Sequence, residues 1–97
     1  MTVTLTGFFD VPEEALEEVR AALPEHVYLT RAEPGCEYFE VFESVSEPGR
    51  FAVSERFKDA ASFRAHQDRA EASDWGRITR DYPRSYDIVG LNTVKDE

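Results

Sequence analysis

Two alternating runs of apolar residues, Cys36 to Val45 and Arg50 to Phe57, are separated by Glu47-Pro48-Gly49. A period of two sends successive side chains to opposite faces, and Pro-Gly supplies a turn, so a β-hairpin is expected here. In the first run Phe39, Val41 and Val45 share one face, and Cys36, Tyr38, Phe42 and Ser44 share the other. Apolar groups therefore point both ways, and such a sheet needs cover on both sides. Helices of the same chain can cover one side and a second copy of the chain the other, which makes a homodimer the expected assembly. In the second run Phe51, Val53 and Phe57 share a face with Glu55, a carboxylate among apolar neighbours.

The remaining elements follow from local signals. Thr2 to Phe9 alternates with Val3, Leu5, Gly7 and Phe9 on one face and Phe8 with the threonines on the other, which reads as a strand rather than a signal peptide. Asp10 and Glu13 have the form of a capping box, and Pro12 suits a first helical turn. The helix that follows carries Leu16, Val19 and Leu23 on one stripe. Pro24 is expected to break or kink it, with a second helical piece from about Glu25 to Ala32 and a stop at Pro34-Gly35. Asp59 caps a helix bearing Ala60, Phe63, His66 and Ala70, Ser73 caps a short helix through Trp75 and Ile78, and Tyr86, Ile88 and Gly90 mark a last strand. Lys95-Asp96-Glu97 is expected to fray. The order β-α-β-β-α-β is the α+β, ferredoxin-like arrangement, an antiparallel sheet with its helices on one face. That fold hosts many functions and chooses none of them.

At 97 residues the chain reads as one domain, spanning 1–97. Its formal charge of -9, from 20 acidic and 11 basic side chains, repels phosphate backbones and anionic lipid, so neither nucleic acid nor a membrane is an expected partner. Glu13, Glu14, Glu17 and Glu18 lie near the start of the first helix, where the macrodipole favours negative charge. Cys36 is the single cysteine, so no disulfide and no cysteine-based metal site can form within the chain. No run approaches the length of a membrane span, and a cytoplasmic location is the expectation.

His66 is the first candidate for chemistry, because imidazole is matched to proton transfer near neutral pH and this one lies on the inward stripe with Phe63 and Ala70. His26, beside Pro24 and Glu25, is expected at the surface. Trp75, the single tryptophan, can be a flat wall for an aromatic ligand or a core anchor. Arg69, Tyr82 and Tyr86 can offer hydrogen bonds to an oxyanion or a phenol if they converge. Glu55 either lines a pocket or pairs with an arginine such as Arg77 or Arg56 of the partner subunit, and the ion pair is the favoured expectation. There is no phosphate loop, no His-x-Glu metal pattern and no nucleophile elbow.

Glu33-Pro34-Gly35-Cys36, the strand start Arg50-Phe51, Glu55 followed by Phe57, and Phe63-Arg64-Ala65-His66-Gln67 together resemble, in order and spacing, the antibiotic biosynthesis monooxygenase family. The stretch from His66-Gln67-Asp68-Arg69 to Ser73-Asp74-Trp75-Gly76 is similar to small quinol-monooxygenase-like members. The resemblance covers nearly the whole chain, to about Leu91, and implies a dimeric α+β barrel. It also implies oxidation of quinols, phenols or anthrones by dioxygen with no flavin, haem or metal. On it, His66 is the expected base, Arg69 or a tyrosine the expected oxyanion partner, and Phe8, Phe57, Phe63 and Trp75 the apolar walls. Haem-degrading members differ. Phe57 stands where they carry a strand tryptophan, no asparagine is evident near Gly7, and His66 sits too early in its helix to match their iron ligand. The alternatives are a non-catalytic dimeric module that binds a small aromatic or stress metabolite, and a small-molecule isomerase.

Overall fold

The computed structural model describes residues 1–91; the fraying expected at Lys95-Asp96-Glu97 lies outside them. Strand β1 (Val3–Asp10) is followed by a 3-10 turn (Glu13–Ala15) and helix α1 (Leu16–Arg31). The hairpin β2 (Cys36–Glu43) and β3 (Arg50–Phe57) comes next, then α2 (Ala60–Ala72), α3 (Asp74–Thr79) and β4 (Arg84–Val89). The four strands run in the order β2-β3-β1-β4, every neighbouring pair antiparallel, which is the ferredoxin-like sheet expected from the element order.

The core lies between the sheet and its helices. Val3, Leu5 and Phe9 from β1, Phe51, Val53 and Phe57 from β3, and Phe39 from β2 turn inward, meeting Val19 of α1 and Phe63 of α2. Phe9 stacks on Phe51 with centroids 5.2 Å apart and meets Trp75 edge-on at 5.9 Å. Each such fully buried aliphatic or aromatic side chain stabilises the fold by roughly 1.5–3 kcal/mol relative to exposure. Glu55 occupies one position of the same inward row, so the alternation of β3 carries a carboxylate into the core edge.

Local expectations fail at four places. Cys36 does not share the face of Tyr38 and Phe42: an irregularity between Cys36 and Tyr38 shifts the register, so Cys36 lies opposite Phe57 and packs against the core. Asp10 caps no helix: it ends β1, accepts from Arg50 at 2.8 and 3.0 Å, and leaves the 3-10 turn to begin after Pro12 without a side-chain cap. Helix α1 does not break at Pro24. Pro24 lies on the exposed side, where water can satisfy the carbonyl its missing N–H leaves free, while Val19, His26 and Thr30 pack on either side of it. Val45 does not extend the Phe39 and Val41 face: β2 ends at Glu43, and Val45 is 99% exposed in the turn. Gly49 closes that turn at φ +91°, and a Cβ there would lie 2.7 Å from the Val11 carbonyl oxygen. No helix among the described residues is long and apolar enough to cross a membrane.

Candidate active site

Because α1 is continuous, Val19, Leu23, His26 and Thr30 form one stripe against the sheet. The expectation that His26 is a surface group therefore fails. It is 6% exposed, with its ring stacked on Trp75 at 4.7 Å between centroids and 8° between planes. Burial, then the nearby His66 and Arg69, push its imidazole down to about 3, so it is neutral at pH 7.

Asp59 caps α2 by accepting from the Ser62 N–H at 2.8 Å, which fixes the rotation of that helix and sends Phe63 and His66 inward. His66 is 4% exposed and lies against Phe57 with ring centroids 4.9 Å apart. Its Nδ1 is 3.2 and 3.3 Å from the two carboxylate oxygens of Glu33, which sits where α1 hands over to β2. Arg69, one turn further along α2, donates from Nε to the same carboxylate and from Nη2 to Thr30 Oγ1 at 3.0 Å. A carboxylate held by a guanidinium is an acceptor, so neutral His66 carries its proton on Nδ1 and keeps a lone pair on Nε2. Burial lowers the His66 pKa, and the charge and hydrogen bond of Glu33 oppose that shift.

Glu55 faces this Nε2, with Oε1 4.0 Å away. Among the described residues of this chain no arginine pairs with it: Arg56 is on the other face of β3, paired with Glu37 at 3.1 Å, and Arg77 is 3.6 Å from Asp74. The expected pair with Arg77 is absent because β3 turns Glu55 to the helix side, where its titratable neighbours include His66 and Glu33. Its Oε1 is buried with no hydrogen-bond partner among the described residues, and burial, followed by the Glu33 charge, pushes the carboxyl up to about 7.

These groups open onto a cavity of about 180 Å³. Leu5, Trp75, Thr79 and Tyr86 complete its inner wall with His26, Glu55 and His66, while the exposed Gln67, Glu71, Arg80 and Arg84 surround its mouth. Cavities of about 150 Å³ accept benzene, so there is room for roughly one aromatic ring. Tyr86 reaches the wall because its partner across the sheet is Gly7, where a Cβ would lie 2.8 Å from the Tyr86 ring. Burial raises the Tyr86 phenol pKa, so it stays a hydrogen-bond donor.

Of the residues singled out from sequence, His66, Glu55, Trp75 and Tyr86 meet at this cavity. Arg69 sits behind His66, engaged by Glu33 and Thr30, and is not in the cavity wall. Phe57 and Phe63 are core residues, edge-to-face at 5.9 Å, with Phe57 backing His66. Tyr82 packs at the core margin outside the cavity. Phe8 is on the opposite face of the sheet beneath the Arg50 guanidinium, 3.8 Å from its ring centroid. Two further residues belong to the site: His26, expected at the surface, and Glu33, singled out in the sequence only within Glu33-Pro34-Gly35-Cys36. For His26 the signal was present, since positions 19, 23, 26 and 30 keep helical spacing across Pro24.

A proton acceptor fixed in one tautomer, a carboxyl able to hold a proton near neutral pH and space for one small ring are the components that acid–base chemistry requires, here carried on a ferredoxin-like domain. The chain belongs to the antibiotic biosynthesis monooxygenase family, whose model matches residues 2–77. YcnE of Bacillus subtilis (strain 168), a monooxygenase by name, is 31% identical over 68 residues, covering 70% of this chain and 72% of that protein. A structure from Nitrosomonas europaea, named for the same family, superposes with a TM-score of 0.80 at 24% identity, covering 92% of this chain and 88% of that one. Rv0793 from Mycobacterium tuberculosis superposes with a TM-score of 0.72 at 21% identity, over 100% and 98% of the two chains. At these identities the structures establish the fold. Family membership supports a role of monooxygenase type.

Proposed function

We propose that this protein is a cofactor-independent monooxygenase, an oxidoreductase that uses dioxygen to oxidise a small quinol or related phenol. The observation that carries the proposal is His66: buried, held by Glu33 through Nδ1, with the Nε2 lone pair toward the cavity that Glu55 lines. An electron-rich aromatic that loses a phenolic proton can pass electrons to dioxygen itself, so the protein need only bind it, take the proton and exclude water. His66 is the base in this proposal. Trp75 and Leu5 flank the ring, and Tyr86 donates to the developing oxyanion in place of Arg69, whose part is to position Glu33. The size of the cavity favours a single-ring quinol or catechol over a three-ring anthrone.

A homodimer and a cytoplasmic location belong to the same proposal. Phe42, 58% exposed on the uncovered face of the sheet, supports the dimer. A purely binding module has no use for a proton acceptor, and the tautomer-fixed His66 supports catalysis over binding alone. The test is dioxygen consumption by purified protein offered quinols, catechols and anthrones, with His66→Ala beside it. Substrate-dependent uptake that falls about tenfold or more in the variant is expected. Uptake unchanged by the substitution would remove His66 as the base, and no uptake above the spontaneous rate would leave the binding or isomerase alternatives.

A further inference from the structure

Glu55 is the one inward-facing position of β3 that is not apolar, and a single carboxylate oxygen buried without a partner among the described residues is costly unless something at the site uses it. Its oxygen shares the cavity with His66 Nε2, 4.0 Å away, which is too long for a direct hydrogen bond and leaves space for a reacting oxygen between or beside them. We propose that Glu55 is the second catalytic residue of this site, the acid that delivers a proton to the hydroxide leaving during cleavage of the oxygen–oxygen bond. The inference rests on the monooxygenase proposal above.

The chemistry closes on these two groups. His66 Nε2 takes the phenolic proton of the quinol. The resulting anion, the electron donor, reduces dioxygen, and a ring carbon that bears one hydrogen forms a bond to one of its oxygens. The peroxide oxygen then takes the proton back from His66, giving a hydroperoxide. His66 next removes the hydrogen on that same carbon, the carbon–oxygen double bond forms, the oxygen–oxygen bond breaks, and the departing hydroxide takes its proton from Glu55 as water. His66 now carries one proton too many and Glu55 one too few, and transfer between them, across 4.0 Å with one water as bridge, restores the starting state. A quinol and dioxygen become a hydroxyquinone and water, with all four electrons supplied by the substrate. The elevated carboxyl pKa keeps a proton available on Glu55 near neutral pH, where an ordinary glutamate would have lost it.

Without an acid at Glu55 the same hydroperoxide has another exit. The carbon–oxygen bond breaks instead, the leaving group departs as hydrogen peroxide, and the ring is left as the plain quinone. The test measures dioxygen consumed, hydrogen peroxide released and hydroxylated product formed, each corrected for the spontaneous rate, in the wild type, Glu55→Gln, Glu55→Asp and His66→Ala. In Glu55→Gln hydrogen peroxide is expected to replace water as the fate of the dioxygen consumed, and hydroxylated product per dioxygen consumed is expected to fall about tenfold or more. Glu55→Asp, which retains the acid, is expected to recover part of the hydroxylated product. Unchanged hydroxylated product in Glu55→Gln overturns the inference and leaves His66 in place. Absence of uptake in the wild type overturns the monooxygenase proposal itself and the inference with it.

Discussion

Glu55 and His26 are both buried titratable groups, and they bend the pH dependence of stability in opposite directions. For Glu55 the folded value is about 7 against an ordinary 4.5, so between those values the folded chain holds a proton that the unfolded chain releases. Its contribution is fully present below the unfolded value and is lost as pH rises through the folded one. For His26 the folded value is about 3 against 6.5, so its contribution is present above 6.5 and is lost as pH falls. Burial lowers His66 as well, with the sign of His26. Glu55→Gln removes only the first effect. The stability of the variant minus that of the wild type should therefore climb from about pH 4.5 to about pH 7 and level off above it, by on the order of 3 kcal/mol in total. Chemical denaturation across that range checks this, and parallel pH profiles for the two proteins would show that Glu55 ionises without penalty in the fold. The oddity of Glu55 was visible in the sequence as a carboxylate on an apolar strand face. Its partner was not, because the choice between an arginine and His66 depends on which helix crosses β3, and strand periodicity is silent on that.

Elements were legible where one periodicity acted alone. The alternation of β1 and β3 and the caps Asp59 and Ser73 are where the sequence places them, and both caps accept from the backbone, at 2.8 and 3.3 Å. Where two local rules competed, tertiary packing decided. Pro24 argues for a helix break, yet burial of His26 and Thr30 beyond it holds α1 together, and Arg31 fastens the helix end to β2 through two bonds of 2.9 and 3.1 Å to the Phe39 carbonyl. Because α1 runs unbroken through Pro24, His26 is carried onto the buried stripe, so the course of one element decides a residue of the site. Pro24 remains unfavourable by intrinsic propensity while constraining the unfolded chain. On balance Pro24→Ala is expected to stabilise the protein by about 1–2 kcal/mol, each kcal/mol raising the melting temperature by roughly 4–8 °C in a domain of this size. Thermal melts check it. A melting temperature that falls would mean that proline's restriction of the unfolded chain outweighs its cost in the helix.

At the scale of the whole molecule, the strand register sorts the outer face of the sheet into rows. Phe42, Ala52, Phe8 and Ser85 lie across one row, Glu40, Ser54, Thr6 and Asp87 across the next, and Tyr38, Arg56, Thr4 and Val89 across a third. No helix among the described residues covers this face, and Tyr38, Phe42 and Val89 are 45%, 58% and 59% exposed. Exposed Phe42, Tyr38 and Val89 set among polar side chains on one sheet face suit a self-complementary interface about a two-fold axis better than a solvated surface. Light scattering is therefore expected to give twice the 11.1 kDa chain mass, and Phe42→Glu to give the single-chain mass without unfolding, since Phe42 contributes nothing to the core. The formal charge of -9 sets two copies against each other, so salt should tighten the dimer by screening that repulsion, the reverse of an association driven by ion pairs. A wild-type chain that stays monomeric at high salt would show that the outer face is not an interface between copies of this chain. A dimer that weakens with salt would move the burden of association from Phe42 and Tyr38 to charged pairs such as Arg56 and Glu37.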